Sequence, residues 1–255
     1  MSIDLLEFFR ATNPGDTIDF AKPEDRKYYI DFASVRGGEI IEELKENITV
    51  FYQDQATCDL FTGHIGCGKS TELLRLKAEL ESEGFHVVYF ESSEDLEMAD
   101  VDIADVLLAI ARRISQSLES IKLAEPTGLK QLLKRTAEIL QTEYDLSEVE
   151  LGLPKMEGLP EMKMKANDKG TFSLAFGIGK ITAKARADSG LRERMNQFLG
   201  PQKVELLAGI NRELIEPAIA QLKEQGKQGL VVIVDNLDRI DAQKKSWGRP
   251  QQEYL

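Results

Sequence analysis

Residues 57–76 read TCDLFTGHIGCGKSTELLRL, and the stretch from Gly63 to Ser70 constrains the fold more than any other part of the chain. A short apolar strand at Leu60 and Phe61 leads into a glycine-rich loop, and the loop into a helix whose Leu73, Leu74, Leu76 and Leu80 recur at helical spacing. The loop fits G-x-x-x-x-G-K-(S/T) at Gly63, Gly68, Lys69 and Ser70, with Gly66 as a further glycine. Glycines admit positive φ and let main-chain N–H groups close around an anion. The helix beginning near Lys69 adds unpaired N–H groups and the positive end of its dipole. In this motif Lys69 reaches the β- and γ-phosphates and the Ser70 hydroxyl takes Mg²⁺. The expected nucleotide-contacting run is therefore Gly63, His64, Ile65, Gly66, Cys67, Gly68, Lys69, Ser70 and Thr71, the last by packing or capping. A glycine turn carrying a lysine by accident would not need a strand before it and a helix after it.

A second element belongs with the first. Leu230 to Val234 is an apolar, mainly β-branched run, the pattern of a strand buried on both faces of a parallel sheet, and it ends on Asp235. An acid there, at the same sheet edge as a phosphate loop, holds the water shell of Mg²⁺. Ser70 and Asp235 are thus the expected metal residues.

Between these elements Phe85 to Phe90 reads as another buried strand, closed by an acidic tract that begins at Glu91. Glu91 sits at the strand's carboxyl end, where ligands collect in open parallel sheets. Asp102 is placed to cap a helix through about Leu118, and a further helix spans Gly128 to Thr142. Residues 145–168 lose periodicity and read as a loop. Phe172, Leu174, Phe176 and Ile178 alternate, as do Ile181, Ala183 and Ala185 beyond Gly177 and Gly179, which predicts a hairpin that either offers a surface for a partner or for self-assembly or extends the sheet within the domain. A long helix follows from Lys203 to about Lys223, kinked at Pro217.

Ahead of the loop, residues 5–9 form an apolar helix candidate, and a helix over Glu39 to Tyr52 carries Ile40, Ile41, Leu44 and Ile48 on one face. The aromatic cluster Tyr28, Tyr29 and Phe32 suits packing first and a base pocket second. The expected organisation is an N-terminal segment over 1–52, the phosphate-loop half of the core over 53–100, a helical region with the hairpin over 101–229, and the Asp235 strand and tail over 230–255.

Composition narrows the function. A net charge of −12 argues against a broad surface for nucleic-acid phosphates. No apolar run is long enough for a membrane span and the start lacks the signature of a signal peptide, so the sequence reads as cytoplasmic. Its two cysteines, Cys58 and Cys67, are expected as free thiols, since a disulfide would distort the loop.

The loop GHIGCGKSTELLRLK together with VDNLDRI resembles the P-loop ATPases of the AAA and STAND type, and within them bacterial KAP-like ATPases. The resemblance implies an α/β three-layer sandwich with a mainly parallel sheet and a long helical and hairpin insertion. It also implies ATP with Mg²⁺ as cofactors and either hydrolysis or a nucleotide-gated switch. A homo-oligomer or protein partner is implied too, with an arginine from a neighbour completing the site; Arg192, Arg194 and Arg239 are the candidates. Two departures qualify it. The acid that many relatives carry after the metal-binding one is here Asn236, which cannot take a proton, leaving Asp238 and Glu91 as candidate bases beside the catalytic Lys69 and Asp235. The strand expected to follow Asp235 in sequence, and to insert beside it, has no counterpart in residues 241–255, so a C-terminally incomplete domain is expected. Slow turnover follows from the first departure, and three activities remain: an ATPase driving conformational change, a signalling scaffold that binds ATP with little hydrolysis, and a kinase, for which no acceptor or lid pattern is visible.

Overall fold

The computed structural model describes residues 17–20, 22–33, 38–52, 55–64, 66–98, 101–118, 127–140 and 169–239, with side chains from residue 174 onward in the last stretch. The expected helix at 5–9, the loop at 145–168, the tail at 241–255 and Ile65 lie outside these residues. The chain separates into two compact units, Met1–Tyr89 with Gly226–Asp235, and Phe90–Gln225 with Asn236–Leu255.

The first unit is built on helix α1 (Ile40–Glu46), which runs on into a π-helical turn at Asn47–Phe51, and helix α2 (Lys69–Ser82). Its two-stranded sheet pairs β1 (His86–Glu91) with β2 (Leu230–Asp235). The His86 N–H donates to the Gly229 carbonyl at 2.9 Å, and Gln228 to Gly84 at 3.1 Å, so the strands meet start to start. Tyr89 meets Asp235 near the far end, and the pair is parallel. Helix α2 stops at Gly84, whose φ of +91° only glycine adopts readily, and the Phe85 N–H closes back on the Leu80 carbonyl at 3.0 Å.

Leu73, Leu76 and Leu80 of α2 form one core with Ile41 of α1, Phe85 and Ile233; Val87, Tyr89, Val231 and Phe61 pack against it. Side chains alternate along a strand, so the packing of Val87 and Tyr89, and of Val231 and Ile233, marks one face of the sheet as the face α2 covers. Asp235 lies on that face by the same period of two.

One expected strand is absent. Residues 56–64 adopt no strand, and Leu60 is 85% exposed while Phe61 alone turns to the core. An apolar pair is too short to form a strand without a neighbour, and among the described residues β1 and β2 pair only with each other.

Past the last two residues of β1, the second unit is built mainly of helices among its described residues, chief among them α3 (Ile103–Ser117), α4 (Thr127–Ile139), α5 (Lys169–Ala187), α6 (Ser189–Leu199), α7 (Lys203–Ile210) and α8 (Glu216–Glu224). Asp102 caps α3 as expected, its N–H donating to Asp105 Oδ2 at 2.8 Å in a capping box. Between α7 and α8 a π-helical turn at Asn211–Ile215 absorbs Pro217, which has no N–H for the regular ladder.

The hairpin expected around 170–187 is instead the helix α5. Leu174, Ile178, Ile181 and Ala185 are all buried, and their spacings of four, three and four are helical. Phe176, which strict alternation would place beside Leu174 and Ile178, is 41% exposed. The glycines read as a turn lie inside the helix. At Gly179 a Cβ would stand 3.4 Å from Arg112 Nε, so the missing side chain lets α5 lie close against α3. The interaction surface attached to the hairpin goes with it.

Candidate phosphate-binding loop and its aspartate

Three glycines shape the loop. Gly66 and Gly68 take φ of +80° and +87°, and Gly68 is the N-cap of α2. Gly63 is needed for another reason: a Cβ there would come within 2.9 Å of Cys67 Sγ and 3.6 Å of the Lys69 stem. The loop thus curls tightly, with the Cys67 N–H reaching the His64 carbonyl at 3.3 Å. Lys69 folds back into it, donating from Nζ to the carbonyls of Gly63 and His64 at 3.0 and 3.1 Å. Ser70 and Thr71 begin the helix, half-buried. Cys58 and Cys67 are exposed and form no disulfide, as the sequence indicates.

Asp235 ends β2 at 2% exposure, and its Oδ2 accepts a hydrogen bond from the Tyr89 hydroxyl at 2.8 Å. A buried carboxylate requires such a partner. One position on, Asn236 takes φ of +62°, in the left-handed region that asparagine tolerates, and donates from Nδ2 to Glu91 Oε2 at 3.2 Å. The two strand ends are therefore tied by reciprocal bonds, β1 holding the acid of β2 and the residue after β2 holding the acid of β1. Asp238 stands exposed on a 3₁₀ turn, Leu237–Arg239. Arg194 and Arg239 are exposed, while Arg192 is buried in the second unit and is not presented to a neighbour.

Sequence reasoning missed Tyr89, although the period of two that places Val87 and Tyr89 on one strand face was available. It also missed a polar network on the flank of α2. Glu72, 5% exposed, accepts from the Tyr29 hydroxyl at 3.1 and 3.2 Å. Arg75 donates to that same hydroxyl at 3.1 Å, to Glu42 at 2.7 Å and to Glu79 at 2.8 Å, and Lys45 joins Glu42 and Glu79 at 2.6 and 2.9 Å. Burial pushes the Tyr29 hydroxyl above the ordinary tyrosine range. A cavity of about 110 Å³ borders the network, with Tyr29, Phe61, Glu72 and Arg75 in its lining. Of the aromatic cluster only Tyr29 joins it; Tyr28 and Phe32 are 42% and 44% exposed. Tyr29 packs edge-on to Phe20, ring centroids 5.0 Å apart.

The residues fit a magnesium nucleotide. Gly66 and Gly68, both at positive φ, lead directly into the N-terminus of α2, and a buried carboxylate stands on the sheet face that this helix covers. Among the described residues no group of three His, Cys, Asp or Glu side chains could hold a metal alone. Magnesium does not need one, because it keeps water and phosphate oxygens as most of its ligands.

A glycine loop of this spacing at a helix N-terminus, with an aspartate closing a strand of the sheet beneath, defines a P-loop domain of the nucleotide-binding class. Within that class the chain belongs to the KAP family: the KAP family P-loop domain matches residues 39–245, a span that holds both the loop and Asp235. Comparison with curated proteins and with solved structures gives no match. Among the described residues no helix is long and apolar enough to cross a membrane.

Proposed function

We propose that the protein is a Mg²⁺-dependent module of the AAA and STAND type that binds and hydrolyses ATP in a three-layer P-loop sandwich, coupling nucleotide state to conformational change or assembly. The observation that carries the proposal is that α2, which begins at Lys69, packs on the sheet face bearing the buried Asp235. In this reading the N–H groups of Gly66, Cys67, Gly68, Lys69 and Ser70 take the phosphates and Lys69 neutralises the terminal ones. Ser70 and Asp235 hold the metal, which when bound supplies charge neutralisation at the β- and γ-phosphate oxygens. Glu91 and Asp238 are the two carboxylates offered as the proton acceptor for the attacking water. Cytoplasmic location, a second copy or protein partner, and an arginine donated by it, Arg194 or Arg239, complete the proposal.

Asn236 favours a second reading, a signalling scaffold that holds ATP and turns it over negligibly, because an amide orients water without taking its proton. Phosphate release under multiple turnover decides between the two. More than one equivalent per chain establishes the ATPase, and a single equivalent or none establishes the scaffold. Lys69→Ala is expected to remove most nucleotide affinity, and Asp235→Asn to abolish Mg²⁺-dependent hydrolysis more than binding. An unchanged nucleotide titration for Lys69→Ala overturns both readings.

A further inference from the structure

Resting on the nucleotide reading above, we propose that Tyr89 is a positioning residue for the divalent cation: its hydroxyl fixes the Asp235 carboxylate in the orientation that takes up the metal's hydration shell. The hydroxyl lies 2.8 Å from Oδ2, and the carboxylate it holds is 2% exposed. Tyr89 reaches it from the neighbouring parallel strand, on the sheet face where Val87 and Ile233 pack against the leucines of α2. Its half-buried ring packs against that apolar cluster while its polar tip meets the acid, so packing on one side of the ring helps to place the hydroxyl.

The chemistry of the donor matters as much as its place. A lysine or arginine at this distance would orient the carboxylate and also cancel its charge, weakening any pull on a cation. A phenol hydroxyl donates a hydrogen bond without carrying a charge. It restrains rotation of the carboxylate and leaves the negative charge in place, which is what outer partners of metal ligands do in general. Were the hydroxyl only a means of satisfying a buried acid, its removal would lower stability and leave metal binding alone.

The test uses the full chain and Tyr89→Phe, which keeps the ring and removes the oxygen. Binding of a non-hydrolysable ATP analogue is titrated in EDTA, and Mn²⁺ binding to the protein–nucleotide complex is followed by the loss of its free-ion EPR signal. Tyr89→Phe is expected to keep the parent's nucleotide affinity in EDTA and to bind Mn²⁺ about tenfold more weakly. 3-Fluorotyrosine at position 89, which retains a hydroxyl, is expected to restore it. Equal Mn²⁺ affinity in parent and variant overturns the proposal while leaving the nucleotide site intact. So does a variant whose nucleotide affinity falls in EDTA as much as with metal. Where Tyr89→Phe does not fold, the fluorotyrosine protein decides: its ¹⁹F resonance must move when Mg²⁺ is added to the nucleotide complex, and a stationary resonance overturns the proposal. A parent protein that binds no nucleotide in EDTA or with Mn²⁺ overturns the underlying site and this inference together.

Discussion

At the scale of single residues the loop is shaped by what is missing from Gly63 more than by what is present. The 2.9 Å approach of Cys67 Sγ to a hypothetical Cβ means that Gly63→Ala must displace the Cys67 side chain from its place in the loop. The expected result is nucleotide affinity lowered about tenfold, which is roughly 1.4 kcal/mol, with the melting temperature of the protein nearly unchanged. Fluorescent-nucleotide titration and thermal melts on the same preparation check it, and an unaltered affinity would show that the curl of the loop is not needed for binding. The loop's form was legible from spacing: Gly66 and Gly68 take the positive φ that the motif asks of glycine, and Asp235 closes a strand as the apolar run before it suggests, while the roles of Lys69, Ser70 and Asp235 belong to the proposal. Tyr89 was not legible. A tyrosine in a buried strand is ordinary packing until the register with its neighbour is known, and register is a property of two strands that neither one spells out.

At the scale of elements, α1 and α2 are joined by charge as well as by leucines. Glu79 of α2 accepts from Lys45 of α1 at 2.9 Å and from Arg75 at 2.8 Å. Burial pushes its carboxyl up, but these two cations outweigh burial and hold it below the ordinary glutamate range. A carboxyl whose folded pKa is depressed adds stability above its unfolded pKa, and that stability is lost as pH falls through the folded value. The urea midpoint of the parent should therefore exceed that of Glu79→Gln at pH 7, by on the order of 1 kcal/mol, and the gap should close below about pH 4. A gap that persists into acid would assign the effect to packing instead. The same scale shows where sequence patterns mislead. The helix α3 was readable because Asp102 and Asp105 mark its start and its apolar face repeats cleanly. The helix α5 was not, since Leu174 and Ile178 satisfy both a period of two and a period of four, and Gly177 and Gly179, which signal a turn in isolation, lie inside the helix.

For the whole molecule the governing quantity is charge. A chain of net charge −12 repels a nucleotide that is itself strongly anionic, whatever its loop does at short range. Salt screens that repulsion, with a Debye length of about 10 Å at 0.1 M. The association rate of an ATP analogue measured by stopped flow should thus rise between low and moderate ionic strength, and a steep fall would reveal a local cationic field that dominates the approach. Architecture at this scale was only partly visible in advance. The parallel pairing of β1 with β2 followed from two apolar runs ending in acids, whereas the division into two units depends on long-range packing that no local pattern encodes. The fold-back of Lys69 onto the carbonyls of Gly63 and His64 carries a last consequence. A triphosphate arriving at this loop competes with the protein's own main chain for the ammonium group, so capture is a ligand exchange. Part of the attraction offsets two bonds already made, so the affinity gained at Lys69 is the difference between the old contacts and the new.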